Sequence, residues 1–205
     1  MASQPTKELA TDCPEVLSQQ QQLNLKEISQ RGLWSIRSSA SHDLNSFAGV
    51  VFNQPLKSGE MIKTGSLRLI KLWPRAAYLI SDELFLPDSV SVFDTMVTDI
   101  GHGICEFSLS GVRALRFLND YTSVDLDHEN LSSNRTVRTI LGHFSILLWW
   151  DEVTDVRILV DRSYAQSLVD YLQNIADRWC IRDLALVESD GSLSMINSSA
   201  DPTQT

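Results

Sequence analysis

The stretch from Ile104 to Leu118, ICEFSLSGVRALRFL, constrains the fold of this chain more than any other segment. It opens by alternating, with Cys105, Phe107 and Leu109 on one face and Glu106 and Ser108 on the other, the period of a strand with one buried side. The period then changes. Val112, Leu115 and Leu118 recur at helical spacing while Arg113 and Arg116 face away. Between the two patterns Ser110 is placed to cap the helix with its hydroxyl, and Gly111 frees the backbone to turn sharply. A strand that turns directly into an amphipathic helix needs a sheet for that helix to cover.

The plan recurs downstream. Val156, Ile158 and Val160 alternate with Arg157 and Leu159, predicting a strand. Ser163 followed by Gln166 reads as a capping box. The helix predicted over 163–178 buries Leu168, Leu172, Ile175 and Trp179 and wets Asp170 and Gln173. Val137–Leu141 and His143–Trp150 read as strands joined at Gly142. Upstream, Ser66–Leu72 alternates and stops at Trp73-Pro74, because proline has no N–H to give a ladder. Ala77–Ile80 is a second short strand, making a hairpin-like pair. Pro87-Asp88 reads as a helix start, with one or two turns over Val90–Met96. These elements predict an α+β fold: two small β-β-α-β-like halves, their antiparallel sheets covered by helices. Residues 1–29 are expected to form a mobile polar tail around the glutamine run Gln19–Gln22, residues 30–187 the folded part, and residues 188–205 a disordered tail rich in Ser, Asp and Thr.

Composition narrows the function. A formal charge of −9 without a Lys/Arg cluster argues against nucleic acid. No run of about 18 apolar residues is present, so no membrane span is expected. The polar N-terminus lacks the apolar core of a secretory signal, which predicts a cytoplasmic protein. Cys13, Cys105 and Cys180 have no CxxC spacing, and His42, His102, His128 and His143 form no ligand pattern; a metal site is not expected. GxGxxG, GxxxxGK[ST] and GxSxG are all absent from the sequence. Asp125, Asp127 and Glu129 alternate, but without the glycine and distal glutamate of a calcium loop they read as a solvated acidic loop. His102, between two glycines, reads as a loop histidine capping a carbonyl rather than a ligand.

No catalytic residue and no cofactor-binding residue is therefore assigned. What remains is a set of candidate subunit contacts. Arg113 sits early in its helix, where an anion or a partner is the alternative to solvent, and arginine is enriched at interfaces. Arg162 and Tyr164 occupy the corresponding place in the second unit. Trp149 and Trp150 are neighbours on one strand and must point to opposite faces. One belongs to the core; the other lies under a helix, under a partner, or in water, and is the main hint of a binding surface.

The order Thr98-Asp-Ile-Gly-His-Gly, strand, then Leu109-Ser-Gly-x-Arg-Ala, resembles the gamma subunit of heterotetrameric sarcosine oxidase, a family with the fold of the glycine-cleavage aminomethyltransferases. The resemblance continues through RTILGHFSILLW (Arg138–Trp149) and VRILVDRSYAQSLVDYL (Val156–Leu172), and covers roughly 64–178. It breaks where the family reads Leu-Gly-Pro-Asp-Glu-Trp: here Trp73 stands for the glycine and Arg75-Ala76-Ala77 for Asp-Glu-Trp. The resemblance implies a non-catalytic subunit of a complex that oxidatively demethylates sarcosine to glycine, passes the one-carbon unit to tetrahydrofolate and releases hydrogen peroxide. It implies partners rather than cofactors for this chain: larger flavin-binding and folate/NAD-binding subunits and a small zinc subunit would hold the FAD, FMN, NAD, tetrahydrofolate and zinc. The alternatives are the small subunit of an N-methylglutamate dehydrogenase-type complex and a free-standing folate-binding aminomethyltransferase-like protein. Against the latter, the region near Ser133–Leu141, SNRTVRTIL, lacks the Cys and Glu of the iron–sulfur maintenance signature.

Overall fold

A computed structural model describes residues 23–29, 31–38, 44–57, 59–86, 95–126, 135–178 and 184–187. The strands are β1 (Leu23–Ile28), β2 (Gly32–Ser38), β3 (Met61–Thr64), β4 (Leu67–Trp73), β5 (Ala76–Ser81), β6 (Thr95–Asp99), β7 (Ile104–Ser110), β8 (Thr136–Leu141), β9 (Phe144–Glu152), β10 (Asp155–Asp161) and β11 (Leu184–Val187). The helices are α1 (Leu44–Val51), α2 (Ala114–Asn119) and α3 (Ala165–Arg178), the last preceded by a tight turn over Arg162–Tyr164.

The chain runs twice through one plan. β1-β2-α1-β3-β4-β5 is followed by β6-β7-α2-β8-β9-β10, so each half is two strands, a helix and a three-stranded meander. The sheet orders match, β3-β4-β5-β2-β6 in one and β8-β9-β10-β7-β1-β11 in the other. The leading strand of each half leaves its own sheet: β1 pairs antiparallel with β7, and β6 pairs antiparallel with β2. Each sheet is therefore completed by the other half. β11 extends the second sheet by pairing parallel to β1. The halves also share a turn. β3–β4 and β8–β9 are joined through Gly65-Ser66 and Gly142-His143, with each glycine at positive φ (53° and 60°). A two-residue hairpin loop with glycine first matches the twist of its strands. At Gly142 a side chain would also collide with the Tyr171 ring, 2.6 Å from where its Cβ would stand.

Helices and sheets stack in four layers. α1 places Leu44, Phe47 and Ala48 against Trp34, Ile36, Ile62, Leu69 and Leu79 of the first sheet. α2 and α3 cover the second sheet, with Leu115, Phe117, Leu168, Leu172 and Ile175 packed on Leu25, Phe107, Leu109, Leu148, Trp150 and Ile158. The inner faces of the two sheets meet through Leu33, Met61, Ile70, Ile80, Leu147, Trp149 and Leu159. Fully burying one such aliphatic or aromatic side chain contributes about 1.5–3 kcal/mol, so the three apolar layers are the main source of stability.

The α+β architecture, its antiparallel sheets and their helical cover follow the sequence reading. Several local expectations are revised. β1 lies within the segment 1–29 read as a tail, because its Leu23 and Leu25 are needed to fill the second sheet's outer core. Thr95 and Met96, expected to end a helix, belong to strand β6, while residues 87–94 lie outside those described. Ser110 is the last residue of β7 and caps nothing; α2 starts later, with Arg113 at its N-cap and no side-chain cap. Gly111, at φ 141°, does make the turn. The helix stripe shifts with it: Ala114, Leu115, Phe117 and Leu118 are buried and Val112 is exposed. The capping box at Ser163 is also absent, since the Gln166 side chain donates instead to Asp170 Oδ1 at 2.9 Å. Cys13, Cys180, His42, His128, Asp127, Glu129 and Trp179 lie outside the described residues.

Candidate functional site

The feature that composition does not foreshadow is a charged cluster between the sheets. Glu106 and Ser108, the polar side of β7, turn inward toward the first sheet rather than outward to water. Glu106 is 7% exposed. Its Oε1 accepts from Arg31 Nη1 at 3.0 Å and lies 3.9 Å from Arg157 Nη1. Arg31, in the crossover from β1 to β2, also pairs with Asp82 at 2.9 Å, just beyond β5. Asp82 holds Arg68 of β4 at 3.1 Å. Arg68 and Lys63 of the first sheet approach Asp151 of β9 at 3.7 and 3.0 Å. Arg157 donates to Asp155 at 2.7 Å, and Asp155 accepts from the Ser108 hydroxyl. The chain of pairs closes one end of the inter-sheet layer.

Trp149 stands in the middle of this cluster. The guanidinium carbons of Arg68 and Arg157 lie 5.3 and 5.7 Å from its ring centroid. Cation–π contact of this kind contributes about 0.5–2 kcal/mol, more when desolvated. The arrangement is not fully satisfied: Arg68 Nε, Arg157 Nη1, Trp149 Nε1 and Asp151 Oδ1 are buried without a hydrogen bond. Burial pushes the Glu106 carboxyl above the ordinary carboxylate range, against the pull of Arg31, Arg157 and Arg68. A buried carboxylate held by arginines is a costly arrangement to break and a modest one to own. It fixes how the sheets meet.

The sequence-derived candidates do not converge. Trp149 and Trp150 do point to opposite faces, but both are buried, at 1% and 0% exposure. Trp150 packs beneath the helices and Trp149 between the sheets, so neither is a partner-facing residue. The period-two pattern gave their opposite directions; it held no sign that a second sheet covers the outward one. Arg113 is half-buried at the start of α2. Arg162 is exposed and clamps the Gly101–Gly103 turn, its Nε donating to the His102 carbonyl at 3.1 Å and its Nη1 lying 3.6 Å from Glu27. His102 thus serves through its carbonyl rather than by capping one. Tyr164 is 53% exposed, with its ring edge on Phe144 at 6.2 Å. Cys105 is a buried core residue whose thiol pKa is raised by burial. Among the described residues no group of His, Cys, Asp and Glu is arranged to hold a metal ion, and no helix is long and apolar enough to cross a membrane.

No protein-family model matches the sequence, and no curated protein matches it. Solved structures of similar fold include the following two. One is a chain of the heterotetrameric sarcosine oxidase from Corynebacterium sp. U-96, in complex with pyrrole 2-carboxylate. The match has a TM-score of 0.68 at 19% identity and covers 81% of this chain and 89% of that chain. The other is the glycine cleavage system aminomethyltransferase T from Bartonella henselae, with a TM-score of 0.54 at 15% identity, covering 74% of this chain and 45% of that chain. The chain thus spans less than half of the aminomethyltransferase. At these identities the likeness is one of fold.

Proposed function

We propose that this chain is a non-catalytic, gamma-type subunit of a sarcosine-oxidase-like heterotetramer. In this reading the complex oxidatively demethylates sarcosine, yields glycine and hydrogen peroxide, and passes the one-carbon unit to tetrahydrofolate. The flavins, NAD, tetrahydrofolate and zinc are held by partner subunits, and the assembly is cytoplasmic. The observation that carries the reading is one of coverage. The chain accounts for 89% of the sarcosine oxidase chain it matches, but for only 45% of the aminomethyltransferase. The likeness in fold is also the stronger for the oxidase chain, with a TM-score of 0.68 against 0.54.

The inter-sheet cluster supports the same reading. Glu106, the most buried carboxylate of the cluster, is engaged by Arg31 and Arg157, and those arginines by further carboxylates. Groups so committed to one another hold a scaffold together and are poorly placed to shuttle protons to a substrate. Co-expression of the tagged chain with candidate flavin-bearing and folate-binding subunits tests the proposal. Retention of a flavin chromophore with this chain in a stable complex is expected; a chain that elutes without one under every co-expression contradicts it. Titrating the isolated chain with tetrahydrofolate separates the free-standing folate-binding alternative, which requires stoichiometric binding.

A further inference from the structure

The end of the inter-sheet layer opposite the charged cluster is open, and its residues have a distinct chemistry. Arg37 of β2 and Trp73 of β4 both lie opposite Ala76 of β5, so they flank it in one row across the first sheet. Residues paired directly across antiparallel strands share a face. From the second sheet, the Arg138 guanidinium stacks over the Trp73 ring, 5.5 Å from its centroid. Ile140 follows on the same face of β8. Trp73 is 59% and Ile140 54% exposed even so, and Arg37, Arg75 and Arg138 are all exposed. Asp161, at the end of β10, acts electrostatically on Tyr78, as do Arg138 and Arg37. Among the described residues the mouth therefore carries three arginines against one carboxylate, on a chain whose net charge is −9.

Resting on the proposed subunit role, we infer that this mouth docks an acidic segment of a partner subunit with an aliphatic anchor that lies against Trp73 and Ile140. The charges identify the occupant. A second copy of this acidic chain is disfavoured by its overall charge, whereas a run of carboxylates complements Arg37, Arg75 and Arg138. Tryptophan and arginine are the residues most often found to dominate interface energetics, and stacking on Arg138 holds the Trp73 ring ready, so little side-chain freedom is lost on binding. Trp73 and Arg75 are also where the chain departs from the family it resembles, so the surface is this chain's own.

The test titrates the full chain with a synthetic peptide of Glu and Leu, and with its counterpart of Lys and Leu, measuring affinity by calorimetry for wild type and variants and following the Trp73 indole signal by NMR in the wild type. The acidic peptide is expected to shift that signal, to bind more weakly as salt rises, and to lose about ten-fold or more in affinity with Trp73→Ala or Arg138→Glu. Equal binding of both peptides, or unchanged binding by Trp73→Ala, overturns the inference. So does a wild-type dimer in light scattering that Trp73→Ala converts to monomer, because the mouth is then a self-association seam. Co-purification tells the two proposals apart. If the variants retain a flavin-bearing partner as well as wild type does, the docking surface fails and the complex stands. If wild type retains none while the acidic peptide still binds the mouth, the complex fails and the surface stands.

Discussion

The two ends of the inter-sheet layer use the same side chains to opposite effect. At one end Arg68 and Arg157 flank a tryptophan that is 1% exposed, and carboxylates from both sheets pair with every arginine in reach. At the other, Arg138 stacks on a tryptophan that is 59% exposed. An arginine–tryptophan contact therefore says little about its role until the surroundings are known. Shut off from water, it is a clasp between two halves of one chain; left wet, it is a surface. The closed end gains its strength from desolvation, which makes any unpaired charge there expensive. The open end gives up that strength and keeps its apolar area available.

Mutations at the two ends should separate in size. Trp149→Ala removes the largest side chain from the inner core and strips Arg68 and Arg157 of their ring; a loss of about 3–5 kcal/mol is expected in urea unfolding. Arg31→Ala leaves Glu106 buried with only its more distant arginine, and about 3 kcal/mol is expected from the same measurement. If either variant unfolds like wild type, the closed end is not a clasp.

The titration of Glu106 sharpens the contrast further. Burial raises its pKa when folded above the unfolded value of about 4.3. The folded chain thus holds this proton longer than the unfolded chain. The stability so gained is complete below the unfolded value and is lost as pH rises through the raised folded value. Glu106→Gln cannot titrate, so the stability difference between the proteins should move in favour of the variant as pH climbs from about 4 to about 7. Paired urea melts across that range check the sign; movement the other way means the arginines outweigh burial. Smallest of all should be Trp73→Ala, at about 0.5 kcal/mol or less, the ordinary effect of a surface change. A loss as large as that of Trp149→Ala would mean that the open end is structural after all.

Much of the fold could be read from periodicity. The strands around Gly142, the strand Val156–Val160, the turn at Gly111 and the stop at Pro74 all appear where alternation, glycine conformation and the missing proline N–H place them. The helices start later than Ser110 and Ser163 suggest: both residues have the chemistry of caps, but pairing keeps the first in a strand and a tight turn occupies the second. The open end is the least legible part of the sequence. Trp73, at the end of its strand beside a proline, has the type and place of a surface residue, whereas the adjacent pair Trp149-Trp150, which looks like a surface signal, is buried on both faces.

Local order along the chain settles which residues share a side of a strand or helix, because that depends on backbone periods of 2 and 3.6 residues. What each side meets is a matter of distant segments. Glu106 and Ser108 alternate as if for water, yet strands from the other half lie over them, and Arg31, 75 residues away, supplies the partner for Glu106. The exchange of β1 and β6 between sheets is likewise invisible in either half alone. Pairing across such separations is selected by the burial of whole faces, which no short window of sequence contains.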